Sequence, residues 1–199
     1  MADPICWLDI VEPEDADGLL AETYDLIRRT DGSVHNLYKA MSLRPEPIRW
    51  ADGHYRAVLH NSENSLPEWF LELVATMVAR LASCAYAQTH HGANLRYLVG
   101  DAARADAMVD AAAAGREADV LDGKLAALVS YARKLANEPD GMTQEDVSRA
   151  RNAGADDAEI LETTQVAACF SYWVRIINGL GIRIGNETIG RKGGEPRVS

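Results

Sequence analysis

The sequence predicts an all-α fold of about eight helices in a single domain. Three observations carry that prediction. Apolar residues recur at helical spacing along most of the chain, no stretch alternates apolar and polar residues long enough for a strand, and the connections are short enough for antiparallel helix packing. With 199 residues the chain is long enough for one domain with a substantial core, spanning residues 1–199, and short for two.

Residues 1–13 hold no periodic pattern. The first helix is predicted in PEDADGLLAETYDLIRRT, where Leu19, Leu20, Tyr24, Leu26 and Ile27 cluster at helical spacing despite Gly18, and Asp31-Gly32 ends it. HNLYKAMSLRP reads as a turn and a helical connection, PIRWADGHYRAVLHN resumes the periodicity, and NSENSLP is the next loop. In LPEWFLELVATMVARLAS, Pro67 suits a first helical turn, and Trp69, Phe70, Leu73, Val74, Met77, Val78 and Leu81 form a broad apolar face. A break is expected near residues 82–83, with Ser83 capping a new helix that runs from Cys84 to about Val99.

Further on, Leu121, Leu125, Leu128, Val129, Ala132 and Leu135 keep helical spacing until EPDG stops it. Thr143 with Asp146, and Asp156 with Glu159, have the spacing of capping boxes, each opening another helix. The polar NETIGRKGGEPRVS segment, from about residue 186, is expected to be a mobile tail.

Composition narrows the function. An apolar fraction of 47% and a charged fraction of 25% are those of a globular protein. The net charge of −10 would repel a phosphate backbone, so nucleic acid is not an expected partner. The start lacks a secretory pattern, and Arg175 interrupts VAACFSYWVRII well short of a spanning helix, so neither export nor membrane residence is expected and the cytoplasm is the simplest location. Cys6, Cys84 and Cys169 are odd in number and widely spaced, which fits free thiols in a reducing compartment. No glycine-rich phosphate loop and no nucleophile-elbow serine is present, and no cofactor is expected.

Chemistry concentrates in SCAYAQTHHGANLR, residues 83–96. A cysteine at a helix N-terminus is placed where unpaired N–H groups favour the thiolate, the reactive form, although a free cysteine also serves as a small buried hydrophobe. His91 follows Ala87 by four residues and Cys84 by seven, so on one helix it neighbours the alanine and lies about 10 Å along the axis from the cysteine. Glu72, on the preceding apolar helix, is the acidic residue whose burial would suit it to proton transfer; alternatively it pairs at the surface with Arg80 or Arg96. Adjacent histidines project about 100° apart and no histidine pair has the four-residue spacing of helical zinc sites, so no metal is expected at His90, His91, Glu72 and Cys84. Cys169 is expected to pack, and Cys6 to be incidental in an unstructured start.

Glu72, eleven residues, Cys84, two residues, Ala87, three residues, His91 resembles the signature of the carboxymuconolactone decarboxylase and alkylhydroperoxidase D (AhpD-like) superfamily, especially its peroxidase-related branch. There the order is Glu, Cys-x-x-Cys, His. LRPEPIRWADGHYRAVL and the stretch from Leu121 to Glu162 look like the family's flanking helices, so the resemblance covers nearly the whole chain. It implies an all-helical domain that assembles into homo-oligomers, and thiol peroxidase activity of the peroxiredoxin-like, antioxidant kind. Glu72 would act as acid/base, His91 as relay and Cys84 as resolving thiol, but Ala87 stands where the family has its attacking cysteine.

Two more departures are His35-Asn36, where Pro-Asn is common, and Val174-Arg175, where Asn-Arg is common. One thiol cannot form the protective intramolecular disulfide, so redox turnover would need an external thiol reductant. The alternatives are a non-redox acid/base enzyme using Glu72 and His91, as in the superfamily's decarboxylases and lyases, and a catalytically silent binding scaffold. A small-molecule substrate, a hydroperoxide or a small organic acid, is the expected partner. Trp50, Trp69, Phe70 and Trp173 could line its pocket, with core packing the commoner job for each.

Overall fold

The computed structural model describes residues 4–190. Among these it contains nine α-helices, three single 3-10 turns and no strand, one helix more than the periodicity predicts. The chain runs through α1 (Gly18–Ile27), α2 (Asn36–Lys39), α3 (Pro45–Leu59), α4 (Glu68–Leu81), α5 (Ala85–Val99), α6 (Ala102–Ala113), α7 (Gly123–Asn137), α8 (Gln144–Asn152) and α9 (Asp157–Leu180).

Helix α4 is the axis of the molecule because its sequence is apolar on every side: each residue from Phe70 to Ala79 is buried. It packs against α3, α5, α6, α7 and α9, so each large apolar side chain of that run contributes roughly 1.5–3 kcal/mol of burial. Glu72 is the one carboxylate in the run, and its burial is the first sign that the helix does more than fill the core.

The turn from α4 to α5 takes only residues 82–84. The N-cap of α5 is Cys84, one residue beyond the expected Ser83, and Ser83 occupies the left-handed region at φ 51°. The reversal needs one such residue, and the Cys84 N–H, bonded back to the Ala79 carbonyl at 2.9 Å, fixes it there. The capping boxes at Thr143/Asp146 and Asp156/Glu159 both form.

Helix α9 stops at Gly181 in the left-handed conformation, where a Cβ would run into the Trp7 ring. Beside it, Trp7 N–H donates to the Leu180 carbonyl and Arg183 N–H to the Ile5 carbonyl. This pairing corrects the reading of Cys6 as incidental: its neighbours are tied to the end of α9 and its side chain is in the core. No helix among the described residues is long and apolar enough to cross a membrane.

Residues 186–190, expected from their polarity to begin a mobile tail, make hydrogen bonds to the helical body. Glu187 bonds the Asn36 amide at 2.7 Å and His90 at 2.8 Å, and the Gly190 N–H donates to His90 Nδ1 at 3.1 Å. Residues 191–199, the rest of that expected tail, lie outside the described residues.

Candidate active site

The tight α4–α5 turn lays the two helices side by side and brings Glu72 opposite His91. Glu72 Oε2 lies 2.8 Å from His91 Nδ1, and its Oε1 accepts from Asn94 Nδ2 at 2.9 Å. Asn94 follows His91 by three residues on α5, so one turn of helix supplies both donors to one carboxylate. The Glu72 side chain is 1% exposed and that of His91 12%, so the histidine is the member of the pair that reaches open space. The surface alternative does not occur: Arg80 pairs with Asp110, and Arg96 with Asp106.

A carboxylate facing Nδ1 accepts that nitrogen's proton, which leaves Nε2 as the basic nitrogen of a neutral ring. The edge-to-face packing of His91 on Phe170, with centroids 4.5 Å apart, holds the ring plane.

His91 opens onto a cavity of about 470 Å³, walled by α1, α2, α3, α5 and α9. Ala87 lines it beside His91, one helical turn away, and Cys84 does not. Cys84 is fully buried beneath the turn, and burial pushes its thiol up, outweighing the N–H groups of Ala87 and Tyr86 that act in the opposite direction. That corrects the expectation of a favoured thiolate: the helix N-terminus is present, but desolvation is the larger effect. Cys169 is buried too, its thiol raised by burial to about 11.

Of the four aromatic side chains that the sequence offers as lining, Trp173 alone faces the cavity. Phe70 is in the core and Trp50 is 72% exposed. Phe170, Tyr38, Tyr55 and Tyr86 make up the rest of the aromatic wall. Arg28, Arg29 and Arg56 line it with the carboxylate Asp52, and each arginine is ion-paired, Arg28 with Asp25, Arg29 with Asp31 and Arg56 with Asp52. The sequence carries no signal for this set, because its members come from separate helices.

Glu187 stands behind one wall, against His90 and His35, which line the cavity. Burial pushes its carboxyl up, but hydrogen bonds from His35, His90, Tyr86 and the Asn36 amide bring it down to about 2. Burial in turn lowers His90 and, with the Glu187 carboxylate beside it, raises the Tyr86 phenol well above its ordinary value. His35 and Asn36, the pair that departs from the family pattern, are thus both bound to this strap.

Among the described residues, two groups of side chains bring potential metal-ligating atoms within 4.8 Å of one another: His35, His90 and Glu187, and His60, Glu68 and Glu72. Helix spacing misses both because the ligands come from different elements. In the first, Arg29 Nη1 bonds His35 Nε2 at 2.7 Å and the Gly190 N–H occupies His90 Nδ1. Each ring's other nitrogen therefore carries a proton aimed at Glu187, and a cation would have to displace both.

No known family model and no curated protein matches the sequence. Two of the similar solved structures match over almost the whole chain. One is described as the alkylhydroperoxidase AhpD core of an uncharacterized peroxidase-related protein from Ralstonia eutropha JMP134, at TM-score 0.77 and 21% identity, covering 98% of this chain and 100% of that one. The other, an uncharacterized peroxidase-related protein from Silicibacter sp. TM1040, is similar at TM-score 0.76 and 22% identity over 91% of this chain and 92% of that one. The fold is therefore the AhpD-like helical fold that the motif order implied.

Proposed function

We propose that this AhpD-like chain is a non-redox acid/base enzyme acting on a small organic acid, with His91 as the proton carrier and Glu72 and Asn94 holding it. One observation carries the reading: the residue beside His91 on the cavity wall is Ala87, whereas the nearest thiol, Cys84, is buried away from the cavity. His91 Nε2 takes a proton from the substrate; the imidazolium so formed is stabilised by the Glu72 carboxylate 2.8 Å away, and the proton is returned to the product. The cavity of about 470 Å³ accommodates a ligand of roughly single-ring size.

The test is exchange of a carbon-bound proton into D2O, followed by proton NMR over a panel of small 2-oxo and β-keto acids. Protein-dependent exchange is expected, reduced about 10²-fold or more in His91→Ala and in Glu72→Gln and retained in Cys84→Ala. Exchange that survives His91→Ala would sink the reading.

A second reading, a one-cysteine thiol peroxidase, draws on the amides of Tyr86 and Ala87 directed at the Cys84 sulfur. In it the thiolate takes an oxygen from the hydroperoxide, releasing an alcohol, and two equivalents of external thiol reduce the sulfenic acid, releasing water and a disulfide. It requires hydroperoxide consumption that Cys84→Ala abolishes.

A further inference from the structure

Helix α4 carries two carboxylates one turn apart, Glu68 and Glu72, and each meets a histidine. Glu72 meets His91; Glu68 Oε1 lies 3.2 Å from His60 Nδ1, at the C-terminal end of α3. The other ring nitrogen of His60 is 2.9 Å from the Tyr55 hydroxyl. His60 is buried, its side chain 4% exposed, and both His60 and Tyr55 line the cavity that His91 lines.

The two hydrogen bonds fix each other's direction. An ionised carboxylate only accepts, so His60 Nδ1 donates to Glu68, and in a neutral ring Nε2 keeps a lone pair for which the Tyr55 O–H is the donor. The order hydroxyl, imidazole, carboxylate is that of an activated oxygen nucleophile or acid/base, with a phenol in place of an alcohol. The Arg56 guanidinium, paired with Asp52 at 2.6 Å, lines the same wall. The Tyr55 ring also packs edge-on to that of His91, centroids 6.0 Å apart.

We propose that Tyr55 is a second acid/base group of this cavity, activated through His60 and Glu68 and working opposite His91. The proposal deepens the acid/base reading and rests on it for the substrate class, which becomes an enolisable carbonyl compound. The Tyr55 oxygen withdraws the proton next to the carbonyl as its own proton passes to His60 Nε2, while His91 in its imidazolium form gives its Nε2 proton to the carbonyl oxygen. The C–H electron pair becomes the carbon–carbon double bond of an enol, leaving His60 as an imidazolium and His91 neutral; reverse transfer restores both groups and completes the exchange. His60 and Glu68 are positioning residues.

Covalent labelling with benzenesulfonyl fluoride tests the activation without a substrate. The Tyr55 oxygen attacks sulfur, an O–S bond forms, the S–F bond breaks and fluoride leaves, and the phenol proton passes to His60 Nε2. Peptide mass spectrometry is expected to find the adduct on Tyr55 ahead of Tyr38 and Tyr86, and about 10-fold or more faster than on N-acetyltyrosine amide in solution. Tyr55→Phe should abolish that adduct, and both His60→Gln and Glu68→Gln should slow it about 10-fold or more. Glu68→Gln serves alone if His60→Gln does not fold.

Labelling of Tyr55 no faster than of the free amide, or unaffected by the folded His60→Gln or Glu68→Gln variant, overturns the proposal. The two ideas fail separately. Loss of proton exchange with labelling intact removes the acid/base reading and the assigned substrate class, while exchange without enhanced labelling removes the role of Tyr55.

Discussion

Position 87 decides what chemistry is open to the cavity. A methyl group there, one turn from His91, leaves the Glu72–His91 pair with no cysteine sulfur facing the cavity. Because Cys6, Cys84 and Cys169 are all buried, a thiol reagent such as Ellman's should react slowly with native protein and promptly with three thiols after denaturation. Rapid native labelling of one thiol would contradict the buried site. Glu72→Gln puts an amide N–H₂ where two donors converge, and should cost about 1–3 kcal/mol by chemical denaturation as well as disorienting His91. The residue types and order of Glu72, Cys84 and His91 are legible in the sequence. Whether Glu72 turns inward or toward Arg80 is not, since that depends on how α4 seats among five other helices.

Among the elements, local signals are the most legible. Both capping boxes form because everything they need lies within four residues, and Thr143→Ala or Asp156→Ala should each lower stability by about 1 kcal/mol. Ser83 shows the opposite. The site of the break is readable, but which residue takes the left-handed conformation is not, because the tertiary turn sets it; Ser83→Gly should stabilise by up to about 1 kcal/mol.

The strap at 186–190 escapes a sequence reading for a related reason. Its polar composition resembles a tail, while its partners His35, Asn36, Tyr86 and His90 are distant in sequence. Glu187, held at about 2 against an ordinary 4.5, contributes stability that is present above pH 4.5 and lost as pH falls toward 2, up to about 3 kcal/mol. His90, lowered by burial from 6.5, acts in the same direction, its contribution being lost as pH falls below 6.5. Melting temperature against pH should therefore decline on acidification, and Glu187→Gln should flatten the part below pH 4.5. An unchanged profile in that variant would show that the strap is not carried by Glu187.

For the whole molecule, periodicity predicts the all-α class, and motif order implies the AhpD-like arrangement that the two solved structures share. The cavity is not legible, because five helices supply its wall and a one-dimensional pattern does not say which faces converge. The expected homo-oligomer is testable by light scattering coupled to size exclusion, where a mass above 21.7 kDa is predicted for the native chain. At this scale the proposed function amounts to a working proton relay in a fold from which the thiol cycle has been lost. The decisive assay is hydroperoxide consumption with a dithiol reductant, comparing the native chain with Ala87→Cys and Cys84→Ala. No thiol-dependent turnover is expected of the native chain, and turnover should appear in Ala87→Cys, where a thiol joins His91 and Glu72. Native turnover that disappears in Cys84→Ala would overturn the non-redox reading.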